Sequence, residues 1–99
     1  MSVPPTVSEL AAWIGVAEHP QMTPALAAAV AWTRGRRFRS KDDATLWTDA
    51  VHLGTIIYGA LLFQRRGSPQ GFDGYDDAAT VNGYTIYDAY TLVGQDITV

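Results

Sequence analysis

The stretch RGRRFRSK, residues 34–41, gathers five cations around one aromatic ring: Arg34, Arg36, Arg37, Arg39 and Lys41. Guanidinium groups bind phosphate oxygens bidentately, so this cluster has the composition to hold a nucleic-acid backbone. The same side chains at a helix end can instead lie in solvent and pair with Asp42, Asp43 or a neighbour's acidic tail. The overall balance favours pairing: seven bases against ten acids leave a net charge of −3, whereas dedicated DNA binders usually carry a basic excess. A small DNA-binding regulator using Arg34 to Lys41 is therefore the alternative reading.

A second group with chemical potential follows in LLFQRRGSPQGFDGYDD, residues 61–77. Arg65 and Arg66 can cap the last carbonyls of a preceding helix, or meet Asp76 and Asp77 within the subunit or across an interface. With Phe72, Tyr75, Tyr87 and Tyr90 they are the candidate contact residues for another subunit or a partner. Catalytic patterns are missing. His19 and His52 have no acid or nucleophile at a diagnostic spacing and form no metal pair. His52 reads as a partly buried helix residue. The GSPQGFDG run lacks the lysine and flanking elements of a phosphate loop, and FDGYDD lacks the spaced ligands and closing glutamate of a calcium loop. With no cysteine, thiol catalysis and thiolate metal sites are excluded. The expectation is a non-enzyme without cofactor or metal.

The elements that must position these residues follow from spacing. A chain of 99 residues can bury one modest core. Residues 1–5, MSVPP, read as a flexible arm, and 6–99 as a single helical domain with an extended C-terminal tail from about 67. Leu10, Trp13, Ile14 and Ala17 recur at helical spacing, so a short helix over roughly 6–17 is expected, capped by Thr6 or Ser8. Thr23 and Pro24 signal a second helix running to about Ser40, alanine-rich and then arginine-rich. Gly35 weakens it by about 1 kcal/mol relative to alanine, which favours a kink or an early end there.

The longest element is expected over about 43–66. Acids open it and arginines close it, as the macrodipole favours. Leu46, Ala50, Leu53, Ile57 and Leu61 form one apolar stripe, and Trp47, Val51, Tyr58 and Leu62 a second. Two stripes suggest burial on two sides, once within the subunit and once against a neighbour. Gly54, Gly59 and Ala60 suit close packing. The least polar part, Leu53 to Phe63, is too short for the roughly 20 residues of a membrane span. Beyond Gly67 an irregular loop is expected, then a short hairpin turning at Asn82 and Gly83, and a short final helix capped by Asp88 and stopped by Gly94. The aromatic tail either folds back over the long helix or reaches a neighbouring subunit. The fold class is all-α, a small helical bundle around one long helix. The N-terminus lacks the basic and then apolar pattern of a signal peptide, so an intracellular product is expected.

The order of these features resembles a known family. SELAAWIGV, a second helix ending in basic residues, LGTIIYGALLFQRRGSPQGFDGYDD and a closing DAYTLVG together resemble the small head-to-tail connector, or adaptor, proteins of long-tailed double-stranded DNA bacteriophages, especially those infecting actinobacteria. The likeness spans residues 8–94, and RRGSPQGF is its most specific part. The resemblance implies a virion structural protein, made in the host cytoplasm and mainly helical. It implies assembly as a dodecameric ring under the portal protein, which extends the DNA channel and carries the next connector or tail component. Double-stranded DNA would then pass without sequence-specific binding, and the long helix would lie at the subunit core with the following loop and tail contacting neighbours or the portal.

Overall fold

The computed structural model describes residues 3–40, 42–65 and 80–97. Among the described residues the fold is an all-α bundle of five helices: α1 Val7–Ile14, α2 Met22–Arg36, α3 Asp43–Leu46, α4 Asp49–Gln64 and α5 Ile86–Val93. Helix α4 lies at its centre, packed chiefly between α2 and α5, with α1 bracing both α2 and α4.

Local chemistry sets most helix ends. Thr6 and Glu9 form a reciprocal cap on α1: the Glu9 N–H donates to Thr6 Oγ1 at 3.2 Å and the Thr6 N–H to Glu9 Oε1 at 2.9 Å. The helix stops at Ile14, short of the expected Ala17, because Gly15 turns left-handed at φ 88° and its N–H returns to the Ala11 carbonyl. Helix α2 starts earlier than Thr23 predicts. The Met22 N–H donates to the His19 carbonyl at 2.9 Å and the Gln21 N–H to His19 Nδ1 at 3.0 Å, so the His19–Pro20 turn launches the helix and Pro24 falls in its first turn. The helix ends at Arg36, next to Gly35, and not at Ser40.

The single helix expected over 43–66 is two. The Asp42 carboxylate caps α3 through the Thr45 N–H at 2.9 Å, and α3 lasts only to Leu46. Thr48 then leaves helical geometry at φ −70°, ψ 166° and caps α4, accepting from the Val51 N–H at 3.3 Å. Trp47 sits at the break. It is 2% exposed, packs with Leu46 and Val51 in a small second core, and donates from Nε1 to Asp43 Oδ1 at 3.1 Å. Burying the indole compensates the interrupted backbone ladder.

The two apolar stripes also resolve differently. Ile57 and Leu61 are fully buried, Ala50 is exposed, and Leu53, Tyr58 and Leu62 are half-buried. Helices of the same chain flank α4 on both sides and bury Trp47 and Val51 of the second stripe, while Tyr58 and Leu62 stay half-buried. Against α2, the seam is made by Gly59 beside Ala29 and Leu26, and by a buried hydroxyl pair, Thr33 with Thr55, at 2.6 Å. Because Thr55 Oγ1 donates to the Val51 carbonyl at 2.9 Å, Thr33 is left as donor to Thr55. Against α5, Gly54 sits under Val93, Leu92 and the Ala89 carbonyl.

The expected hairpin is one bridge, in which Val81 and Tyr84 exchange N–H to carbonyl bonds of 2.9 Å across Asn82 and Gly83, both at positive φ. Asn82 Nδ2 donates to the Trp13 carbonyl at 2.7 Å, tying this turn to the end of α1. Helix α5 begins at Ile86, so Asp88 lies inside its first turn: its carboxylate accepts from the Thr85 N–H at 2.7 Å and thereby closes the cap from within. Gly94 ends it as expected.

Candidate functional site

The cationic end of α2 meets the aromatic helix α5, although the two lie far apart in sequence. Arg36 and Trp32 share a helix face, and the Arg36 guanidinium lies 5.3 Å from the Trp32 ring centroid and 5.1 Å from that of Tyr90. Trp32 in turn stacks on Tyr58 of α4 at 4.0 Å and 6° between planes, and Tyr87 meets Tyr90 edge-on at 6.1 Å. Burial pushes the Tyr58 hydroxyl above its usual range, as does Tyr90, against the opposing pull of Arg36 and Arg65. This seam of three helices leaves Tyr87 53% exposed at its rim.

Each arginine is engaged differently. Arg34 pairs with Asp43 at 3.2 Å on an exposed surface and lies 5.6 Å from the Trp47 ring centroid. Arg36 Nε donates to the Gly94 carbonyl at 2.9 Å, and Arg37 Nη1 to the Val93 carbonyl at 2.9 Å. Arg37 Nε also bonds Asp96 Oδ1 at 3.2 Å, the Arg39 N–H donates to Asp96 Oδ2 at 3.0 Å, and the Asp96 N–H returns to the Arg36 carbonyl at 2.7 Å. The segment after α5 therefore closes the end of α2, answering its orphan carbonyls and its cations at once. Of the expected partners, Asp43 is used. The acidic tail that binds the arginines is this chain's own. The guanidinium of Arg39 has no ion pair among the described residues.

Of the candidate contact residues, Arg65 stands half-buried at the end of α4, its N–H on the Leu61 and Leu62 carbonyls at 3.2 Å each. Tyr90 is a half-buried member of the aromatic seam and Tyr87 is exposed. The aromatic tail folds back within the chain. Lys41, Arg66, Phe72, Tyr75, Asp76 and Asp77 lie outside the described residues. The sequence did not place Trp32, Tyr58 or Asp96 in this site; Tyr58 read only as a member of an apolar stripe. Trp32 and Arg36 at i, i+4 carried a usable signal; Tyr58 and Asp96 join only through tertiary contact.

His52 does have an acid. Glu9 Oε2 lies 3.2 Å from its Nε2, bridging α1 and α4. Burial pushes the Glu9 carboxyl up, but the Thr6 N–H and hydroxyl together with His52 outweigh it and hold the group below its usual value. No group of three or more potential metal ligands occurs among the described residues. No helix among the described residues is long and apolar enough to cross a membrane. No family model, curated protein or solved structure matches the chain.

Proposed function

We propose that the chain is a ring-forming structural subunit of a bacteriophage virion, a head-to-tail adaptor that sits between portal and tail and continues the DNA channel. The observation that carries this reading is where the charge goes. Arg36 and Arg37, the centre of the cationic cluster, are held by the chain's own residues 93–96, which weakens the case for a dedicated DNA-binding face.

Among the exposed groups are apolar and aromatic side chains from different elements. An open groove of about 500 Å³ runs between Pro5–Val7 and the small-residue face of α2 at Ala27 and Ala31, and Phe38, Tyr84, Tyr87 and Ile97 are large exposed side chains. Ring assembly pairs one face of a subunit with a different face of the next, so unlike patches on one chain are what it needs. The sequence resemblance through RRGSPQGF points the same way.

The test is electron microscopy of the purified chain, alone and mixed with the portal protein of the same phage. Closed rings or portal-capping density are expected. A chain that stays monomeric in both mixtures and retards duplex DNA with a steep salt slope would favour the regulator instead.

A further inference from the structure

We propose that residues 94–97 are a strap that fills, from within the chain, a phosphate-binding site at the end of α2, and that the phosphates of duplex DNA compete with Asp96 for it. The inference stands on the geometry of one subunit and does not depend on ring assembly.

The site is built from two kinds of donor. Arg37 Nε and the Arg39 main-chain N–H converge on the two carboxylate oxygens of Asp96, at 3.2 and 3.0 Å. A guanidinium paired with a main-chain N–H is also a good cradle for a phosphate oxygen, which carries similar charge and acceptor capacity. Asp96 shows that the cradle holds an anion: its side chain is only 17% exposed.

The strap is attached so that it can leave without unfolding the bundle. Val93, the last residue of α5, is fully buried and packs on Gly54. Gly94 follows at φ 72°, ψ −166°, a backbone setting that glycine alone adopts readily, and forms a joint between fixed helix and strap. Past that joint the strap's described contacts are polar, and Ile97 is 76% exposed. Removing Asp96 would free Arg37 Nε and the Arg39 N–H, while Arg37 Nη1 stays on the Val93 carbonyl and holds the guanidinium in place, and would take away one negative charge.

Competition within a chain acts at an effective concentration of roughly millimolar, so a single phosphate displaces the strap poorly. A duplex presents many phosphates together and gains by counterion release, so the wild type should bind it weakly and with strong salt dependence.

The experiment is fluorescence anisotropy of a short labelled DNA duplex at low salt with wild type, Asp96→Asn, Asp96→Asn/Arg37→Gln, and the charge-matched control Glu18→Gln at an exposed site. Asp96→Asn should raise affinity about three- to tenfold and Arg37→Gln should cancel the gain, while Glu18→Gln should raise it by less than Asp96→Asn does. Hydrogen exchange of the Asp96 amide in wild type gives a second readout that needs no variant, and added duplex should lower its protection. Equal gains in Asp96→Asn and Glu18→Gln would reduce the effect to net charge and overturn the proposal. So would an Asp96 amide that keeps full protection in saturating duplex. Should Asp96→Asn fail to fold, the wild-type exchange measurement decides alone.

Discussion

Helix α4 meets its two main neighbours through glycines of very different tolerance. At Gly54, facing α5, an added Cβ would fall 2.7 Å from Val93 Cγ2, 3.0 Å from Leu92 Cβ and 3.2 Å from the Ala89 carbonyl oxygen. At Gly59, facing α2, it would stop 3.5 Å from the Ala29 Cβ, an ordinary van der Waals contact. The first seam closes on Val93 and Leu92 side-chain atoms and the Ala89 carbonyl, and admits nothing. The second has room for a methyl group, and its specificity comes from the Thr33–Thr55 hydroxyl pair. At these two positions α4 lies closer to α5 than to α2, so α5 is part of the core, even though residues 84–93 read in sequence as much like an interface arm as like a core element. Only beyond Gly94 does the chain switch from apolar fit to polar tether.

Substitutions separate the two seams. Gly54→Val should be the most damaging, because both helices would have to move; a loss of about 3 kcal/mol in urea unfolding is expected, from overpacking. If Gly54→Val melts with the wild type, the close approach of α4 and α5 is wrong. In the other seam, Thr55→Val leaves the buried Thr33 hydroxyl without its acceptor and should cost about 2 kcal/mol. Adding Thr33→Val should recover most of that loss, because both partners are then apolar; additive losses would show that the pair is not an isolated hydrogen bond. Gly59→Ala should be neutral or stabilise by up to about 1 kcal/mol, since the helix gains propensity and the methyl group fits. A Gly59→Ala variant as damaging as Gly54→Val would erase the contrast.

The smallest effect concerns pH where the seams join. The Tyr58 hydroxyl titrates above its ordinary value of 10.0 in the folded chain, so the fold holds that proton more tightly than the unfolded chain does. Its contribution to stability is fully present below pH 10.0 and declines as pH rises through the higher folded value. Tyrosinate absorbance should therefore show one tyrosine ionising later than an exposed one, a lag that Tyr58→Phe removes. An unchanged titration curve in Tyr58→Phe would separate Tyr58 from the seam.

Much of this fold was legible locally. The Thr6 cap, the Asn82–Gly83 turn and the Gly94 stop are each specified by a few adjacent residues, and each forms. The break at Trp47–Thr48 was hidden because the apolar stripe runs on through Leu46 and Trp47. What divides the helix is burial of the indole, a tertiary effect. Gly15 was overlooked as a stop because Ala17 continues the helical spacing beyond it. Within the candidate site, the pairing of Arg34 with Asp43 was foreseeable from their nearness in sequence. The Arg36 contact with Tyr90 and the Arg37 pair with Asp96 were not, because periodicity says nothing about which distant segment lands on a helix end.

The proposed role, a ring-forming adaptor whose cationic helix end is closed by its own chain, can be checked by electron microscopy of the wild-type protein mixed with a phage portal protein, with a duplex DNA retardation assay on the same preparation. Closed rings or capped portals are expected, with only weak, salt-sensitive retention of DNA. Free monomers that leave the portal bare and bind duplex tightly would contradict that role.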